Sequence, residues 1–113
     1  MKLIIAYVRP EKLADVKNSL LQMRITKMSV TNALGCGEER GYLEKYRGAD
    51  IEVTLLKKVR LEVAVNEEFL DPAIDAIVEA AKTGQVGDGK IFVIDLAQCV
   101  RIRTGERGGS AIG

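Results

Sequence analysis

The hydrophobic period of this chain switches from strand-like to helix-like twice, and that repetition restricts the folds open to it. The apolar run Leu-Ile-Ile-Ala-Tyr-Val at 3–8 reads as a buried strand, closed by Arg9-Pro10. Pro10 suits a first helical turn, and Leu13, Val16, Leu20 and Met23 recur at spacings of three, four and three, as on one amphipathic helix. From Thr26 the period is two. Met28, Val30, Asn32 and Leu34 alternate with Lys27, Ser29, Thr31 and Ala33 in a half-buried strand ending at Gly35-Cys36-Gly37. Alternation resumes at Ile51, Val53 and Leu55 and runs on through Val59, Leu61, Val63 and Val65, a strand that begins inside the preceding loop. The second helix carries the stripe Leu70, Ile74, Ile77, Val78 and Ala81. Asn66 and Asp71 both suit its cap, Pro72 favours the later start, and Gly84 ends it. Residues 91–96 form the last strong strand.

Strand, helix, strand, long loop, strand, helix, strand is the split βαβ order. The expected fold is therefore α+β and ferredoxin-like, βαββαβ, with two helices on one face of an antiparallel sheet. One domain over residues 1–113, 47% hydrophobic, suffices for a core. The strands are apolar in both registers, so the other sheet face also needs cover, and a homo-oligomer is the economical way to provide it.

Charge and composition narrow the function. Seventeen basic against sixteen acidic residues exclude nucleic-acid binding by bulk charge, so an anion site must come from local clustering. With no histidine, a zinc site or a histidine general base is excluded. Cys36 and Cys99 lack CxxC spacing and are expected to be reduced thiols. The run at 3–8 falls far short of the roughly 20 residues of a membrane span. No signal-peptide succession opens the chain, and the expected location is cytoplasmic.

Residues 83–90, Thr-Gly-Gln-Val-Gly-Asp-Gly-Lys, carry the clearest chemistry. Three glycines in six positions permit left-handed backbone that turns several N–H groups toward one point, and Lys90 adds a positive charge, as a polyphosphate requires. The spacing is not that of a Walker A loop, and an apolar run rather than a helix follows. Alone, the stretch also reads as an ordinary glycine turn between helix and strand. Arg101-Ile102-Arg103, whose two arginines share one face in extended chain, favours the anion reading. Two further segments stand out. Residues 38–50 hold seven charges in thirteen positions with Gly41 and Gly48 and no apolar period, a long exposed loop that is either functional or disordered. The tail 104–113, rich in glycine and charge, reads as a loose end or an arm onto a neighbour.

The run Thr83-Gly-Gln-Val-Gly-Asp-Gly-Lys-Ile-Phe-Val93, followed by Arg101-Ile-Arg-Thr-Gly-Glu106, closely resembles the PII nitrogen-regulatory signal proteins. Tyr46-Arg47-Gly48-Ala49 and Arg9-Pro10 match as well, and the resemblance covers nearly the whole chain. It implies a homotrimer with ATP or ADP in each of three clefts between neighbours. Gly87, Asp88, Gly89 and Lys90 would hold the phosphates from one subunit, with Gly37 among the nucleotide-binding positions. Arg101 and Arg103 would reach in from the next, and Ser29, Ala64 and Gly35 would surround adenine and ribose. Residues from about 37 to 55 correspond to the T-loop, which docks onto targets. Arg47 stands where the family inserts an arginine into the mouth of an ammonium transporter. The implied partner is such a transporter or a nitrogen-metabolism enzyme, with peripheral membrane association through the former and no nucleic acid.

Departures from the family pattern carry their own expectations. Ile51 replaces the tyrosine that relatives modify with a nucleotide and Ala49 a serine phosphorylated in some, so neither modification is available there. Glu38-Glu39-Arg40 stands where many relatives have Arg-Gln-Lys, and the family uses that glutamine with ATP phosphates to ligate a Mg²⁺ ion that also binds 2-oxoglutarate. Glu39 still offers an oxygen to a hard cation but sets negative charge beside a dianion. Lys58, the family's carboxylate partner, is present. Nucleotide binding is expected to survive, with 2-oxoglutarate sensing weakened or altered.

Other classes fit less well. An RNA-binding module needs aromatic platforms, and Phe92 is the one aromatic at 91–96. A nucleotide hydrolase would rely on Asp88 or Glu62 to orient water, without a histidine. A generic small-molecule regulatory domain leaves the glycine loop and arginine pair unexplained.

Overall fold

The computed structural model describes residues 1–36 and 55–113 in full, and the backbone alone of 42–46 and 49–53. Strand β1 (Lys2–Val8) leads through a 3₁₀ turn at Pro10–Lys12 into helix α1 (Leu13–Gln22) and strand β2 (Ser29–Gly35). Strands β3 (Tyr42–Tyr46) and β4 (Ala49–Val53) follow, then β5 (Leu56–Val65), helix α2 (Glu67–Ala81) and β6 (Gly89–Asp95). The main sheet has the order β2-β5-β1-β6 with antiparallel neighbours throughout, which is the ferredoxin-like βαββαβ fold.

Period-two patterning decides which face the helices cover. Ile4, Ala6 and Val8 of β1 and Val59, Leu61, Val63 and Val65 of β5 all point to one side and are buried. Val16 and Leu20 of α1 and Ala73, Ile77 and Ala81 of α2 close over them. Each such aliphatic side chain removed from water is worth about 1.5–3 kcal/mol, so this single layer holds the domain together.

On the opposite face the predicted second apolar register holds for β1 and β6, whereas β5 places Arg60 and Glu62 there and β2 places Ser29 and Thr31, and among the described residues no helix covers it. Ile5 is still 8% exposed, but Phe92 and Ile94 on the edge strand β6 are 50% and 49% exposed. Tyr7 meets Phe92 edge-on at 6.3 Å between ring centroids, and the Arg60 guanidinium lies 5.9 Å from the Tyr7 ring centre.

Several predicted boundaries move, each for a local reason. Strand β2 starts at Ser29 rather than Thr26 because α1 ends in a Schellman turn. Arg24 adopts φ +62°, its N–H reaches the Leu21 carbonyl, and the Ile25 N–H reaches Leu20. Helix α2 starts at Glu67 after Asn66, not at the later position suggested by Asp71 and Pro72. The earlier start turns Leu70 toward the core and sets Glu67 and Glu68 at the positive end of the helix dipole, while Pro72 sits inside the helix without a ladder N–H. The helix stops at Ala81, before Gly84, when Lys82 becomes extended. The predicted strand from Ile51 through Val65 is two strands: Ile51 and Val53 belong to β4, and β5 begins at Leu56. β4 pairs with β3 from Tyr42 opposite Val53 to Tyr46 opposite Ala49, so the stretch expected to be a loop without period contains a hairpin. Last, β6 begins two residues before the predicted Ile91 and ends at Asp95.

Candidate functional site

The loop joining α2 to β6 is organised around one carboxylate. Asp88 accepts hydrogen bonds from the Thr83 N–H at 2.8 Å, the Gly84 N–H at 2.9 Å and the Thr83 hydroxyl. Arg9, from just beyond β1, donates its Nε to the same carboxylate at 3.1 Å. These contacts hold the Asp88 carboxyl well below the usual carboxylate range, the Thr83 hydroxyl contributing most and the Thr83 amide next. What the Asp88 carboxylate holds in the structure is its own loop.

Two cations take carbonyls of the loop. Arg9 Nη2 donates to the Val86 carbonyl at 2.8 Å, and Lys58 Nζ donates to that of Gly87 at 2.6 Å. Both peptide bonds are trans, so the N–H of Gly87 and that of Asp88 point away from these cations. Gly84 and Gly87 adopt φ +88° and +100°, the left-handed backbone that such a turn requires. Gly89 is glycine for a separate reason. Its φ is +106°, and a β-carbon there would collide with the Tyr7 carbonyl of the paired strand.

Beside this loop lies an open groove of about 570 Å³. Gly35, Lys58, Gly87, Asp88, Gly89 and Lys90 all line it, so the structure brings these six predicted residues together. The remaining ones stand elsewhere. Ser29 and Ala64 both lie on the uncovered sheet face, Ser29 opposite Glu62 near mid-sheet and Ala64 opposite Leu3 toward its far end. β6 pairs with β1 from Gly89 opposite Val8 to Asp95 opposite Lys2, so Arg101 and Arg103 follow a strand that has run the whole sheet away from the loop. That separation is about 20 Å. In one chain the predicted site is thus two half-sites at opposite ends of the sheet.

The arginine pair is not extended, contrary to the sequence reading. Residues 101–105 turn back: the Gly105 N–H bonds to the Arg101 carbonyl at 2.7 Å, and the Arg101 N–H to the Glu106 carbonyl at 2.8 Å. The Arg101 guanidinium pairs with Glu106 and reaches the Ser110 carbonyl at 3.1 Å, while Arg103 is exposed. Nor is the tail a loose end. The Asn66 side chain donates to the Gly109 carbonyl at 3.0 Å, Lys27 donates to that of Gly113, and Ala111 is buried.

Gly37, Glu39 and Arg47 lie outside the described residues, as do the side chains of Ala49 and Ile51. Among the described residues no three of His, Cys, Asp or Glu cluster as metal ligands, and no helix is long and apolar enough to cross a membrane. Sequence reasoning assigned no role to Arg9 or Thr83. The usable signal was a hydroxyl residue followed five positions later by an aspartate across a glycine turn, a local capping pattern.

The family model for the nitrogen regulatory protein P-II matches residues 1–106. This chain belongs to the P-II family. Over 112 residues, 99% of its length and 100% of theirs, it is 46% identical to nitrogen regulatory protein P-II of Klebsiella oxytoca and to nitrogen regulatory protein P-II 1 of Escherichia coli K12. It is 49% identical, with the same coverage, to nitrogen regulatory protein P-II of Pasteurella multocida. P-II proteins are regulatory signal proteins, so residues 83–90 form a loop of a nitrogen-regulatory P-II chain.

Proposed function

We propose that this P-II chain acts as a homotrimer that binds ATP or ADP between subunits and passes the bound state to a target protein through residues 37–55. One observation carries the reading: the two halves of the predicted anion site lie about a strand's length apart in one chain. An assembly that sets the loop of one copy against Arg101 and Arg103 of the next completes the site. The uncovered sheet face, with Phe92 and Ile94 half exposed, supplies apolar area for that association. Three copies is the number the family resemblance implies.

In the completed cleft, Lys90 and the N–H groups of Gly87 and Asp88 meet the phosphates from one side. Arg101 and Arg103 meet them from the other. Ser29, Ala64 and Gly35 surround the base and sugar. The site holds charge and moves no bonds, so the protein works as a sensor rather than an enzyme. Nucleotides that contact the two loop states differently bias residues 37–55 between them. The target in this reading is an ammonium transporter or an enzyme of nitrogen metabolism, met in the cytoplasm or at the inner membrane surface through Arg47.

2-Oxoglutarate binding rests on Lys58 and on Mg²⁺ held by the nucleotide and Glu39. Glu38 and Glu39 set two negative charges near a dianion, which costs on the order of kilocalories in a partly desolvated site. The expected response to 2-oxoglutarate is therefore weak.

Calorimetric titration of ATP with Mg²⁺, with and without 2-oxoglutarate, tests these assignments, alongside light scattering for the assembled mass. Binding near one site per chain in a trimer supports the reading. Tightening by 2-oxoglutarate would show Glu39 to be tolerated, and indifference would leave a nucleotide sensor alone. No ATP binding in either run removes the roles given to Lys90, Arg101 and Arg103.

A further inference from the structure

The loop at 83–88 is more firmly held than its exposure calls for. Thr83, Gly84, Gln85 and Val86 are all exposed, Val86 by 58%, and they add nothing to the buried layer between helices and sheet. Exposed loops with so few apolar contacts ordinarily sample many conformations. Here one carboxylate accepts from two backbone amides, a hydroxyl and a guanidinium, and that guanidinium also binds the Val86 carbonyl. Thr83 accepts in turn from the Gln85 N–H at 3.2 Å. Order in a surface loop that the core does not need is what preorganised binding requires, because the entropy of fixing the donors is then lost before the ligand arrives.

We propose that Arg9 and Thr83 are positioning residues that act through Asp88 to preset the loop, with its Gly87 and Asp88 N–H groups turned away from Arg9 and Lys58, before any anion binds. The assignment rests on the nucleotide reading above for the identity of the anion, but not for the state of the free loop. Arg9 supplies the geometry that a lysine lacks. Its Nε and Nη2 reach two acceptors at once, Asp88 at 3.1 Å and Val86 at 2.8 Å, which fixes the loop in orientation as well as in position. Thr83 closes the other end, where its hydroxyl and amide both meet the Asp88 carboxylate.

The test uses the full chain with Thr83→Val, Thr83→Ser, Arg9→Met and Arg9→Lys. Amide hydrogen exchange without nucleotide is read at Thr83 and Gly84, whose N–H groups bind Asp88. Thr83→Val and Arg9→Met are expected to speed exchange there by about tenfold, the equivalent of one hydrogen bond to a charged group, with amides of β1 and β5 unchanged. Thr83→Ser restores protection, and Arg9→Lys restores it only in part. ATP affinity by calorimetry falls in the same order, about tenfold for Thr83→Val, with the core unfolding transition retained. Unchanged exchange at Thr83 and Gly84 overturns the proposal. So does wild-type ATP affinity in a Thr83→Val protein whose loop has loosened, because the preset geometry then serves nothing. If the unaltered chain fails to bind ATP, the nucleotide reading falls, and the exchange result still decides whether Arg9 and Thr83 set the loop.

Discussion

The loop at 83–88 and the tail at 100–113 are both glycine-rich, and each turns back at one end of the sheet. They are built on opposite principles. The loop has an anion at its centre: Asp88 gathers local N–H groups, while the Val86 and Gly87 carbonyls are taken by Arg9 and Lys58. The tail has a cation at its centre. Arg101 gathers Glu106 and the Ser110 carbonyl, and a backbone bridge from Val100 to Arg107 ties the turn. The first arrangement leaves N–H dipoles available to an anion, and the second ties a guanidinium to its own turn. Composition alone does not distinguish them. The distant partner does, Arg9 lying 79 residues from Asp88 and Asn66 lying 43 from Gly109.

The largest expected effect separates a glycine needed for packing from one needed only for its backbone. Gly89→Ala puts a methyl into the Tyr7 carbonyl at φ +106° and should cost about 4 kcal/mol or more in urea denaturation. Gly108→Ala, at φ +85° with open space around the new carbon, should cost about 1–2 kcal/mol. Equal losses would erase the distinction between the two segments.

Asn66→Ala comes next. Its side chain makes no cap bond to α2 and instead holds the Gly109 carbonyl, so its loss should cost about 1 kcal/mol. Amide exchange should accelerate at 108–112 and stay unchanged at 83–88. Acceleration at both would mean that the two ends of the sheet are coupled.

Gly84→Ala should cost about 1 kcal/mol, since φ is +88° and nothing lies within 4 Å. A gain in stability would show that the loop relaxes out of its left-handed turn without harm.

The smallest effect is a pH dependence confined to the loop. The folded carboxyl of Asp88 titrates below its unfolded value, chiefly through the Thr83 hydroxyl, so its contribution is complete above the unfolded value near about 4 and is lost as pH falls toward the folded one. The stability gap between the unaltered chain and Thr83→Val should thus be constant from pH 7 to 5 and shrink on further acidification. A gap that persists in strong acid would assign the threonine's effect to packing.

Much of the fold was legible in residue spacing. Leu13, Val16, Leu20 and Met23 marked α1, and the alternation of Val59, Leu61, Val63 and Val65 marked the central strand, because one-sided burial imposes a period that survives in sequence. Boundaries were less legible where a local rule lost to packing. Pro72 argued for a late helix start, but turning Leu70 into the core outweighed the missing ladder bond. The glycine loop was legible as an anion site in composition, and Gly87, Lys90 and Lys58 do meet around one groove. The part played by Asp88 was not, since a carboxylate in such a loop reads equally as a brace or a ligand contact until its hydrogen bonds are known.

By itself the sequence determined the order of the helices and main-sheet strands, the buried stripe, the second apolar register of β1 and β6 and the cationic glycine loop. All of these follow from neighbours within a turn or a strand, where chemistry and spacing are read together. Only the tertiary structure decided that the loop and the arginine pair stand at opposite ends of one sheet, that Arg101 is tied into its own turn, and that Arg9 meets Asp88. Those outcomes depend on strand register and chain return, which bring together residues whose separation in sequence carries no local signal.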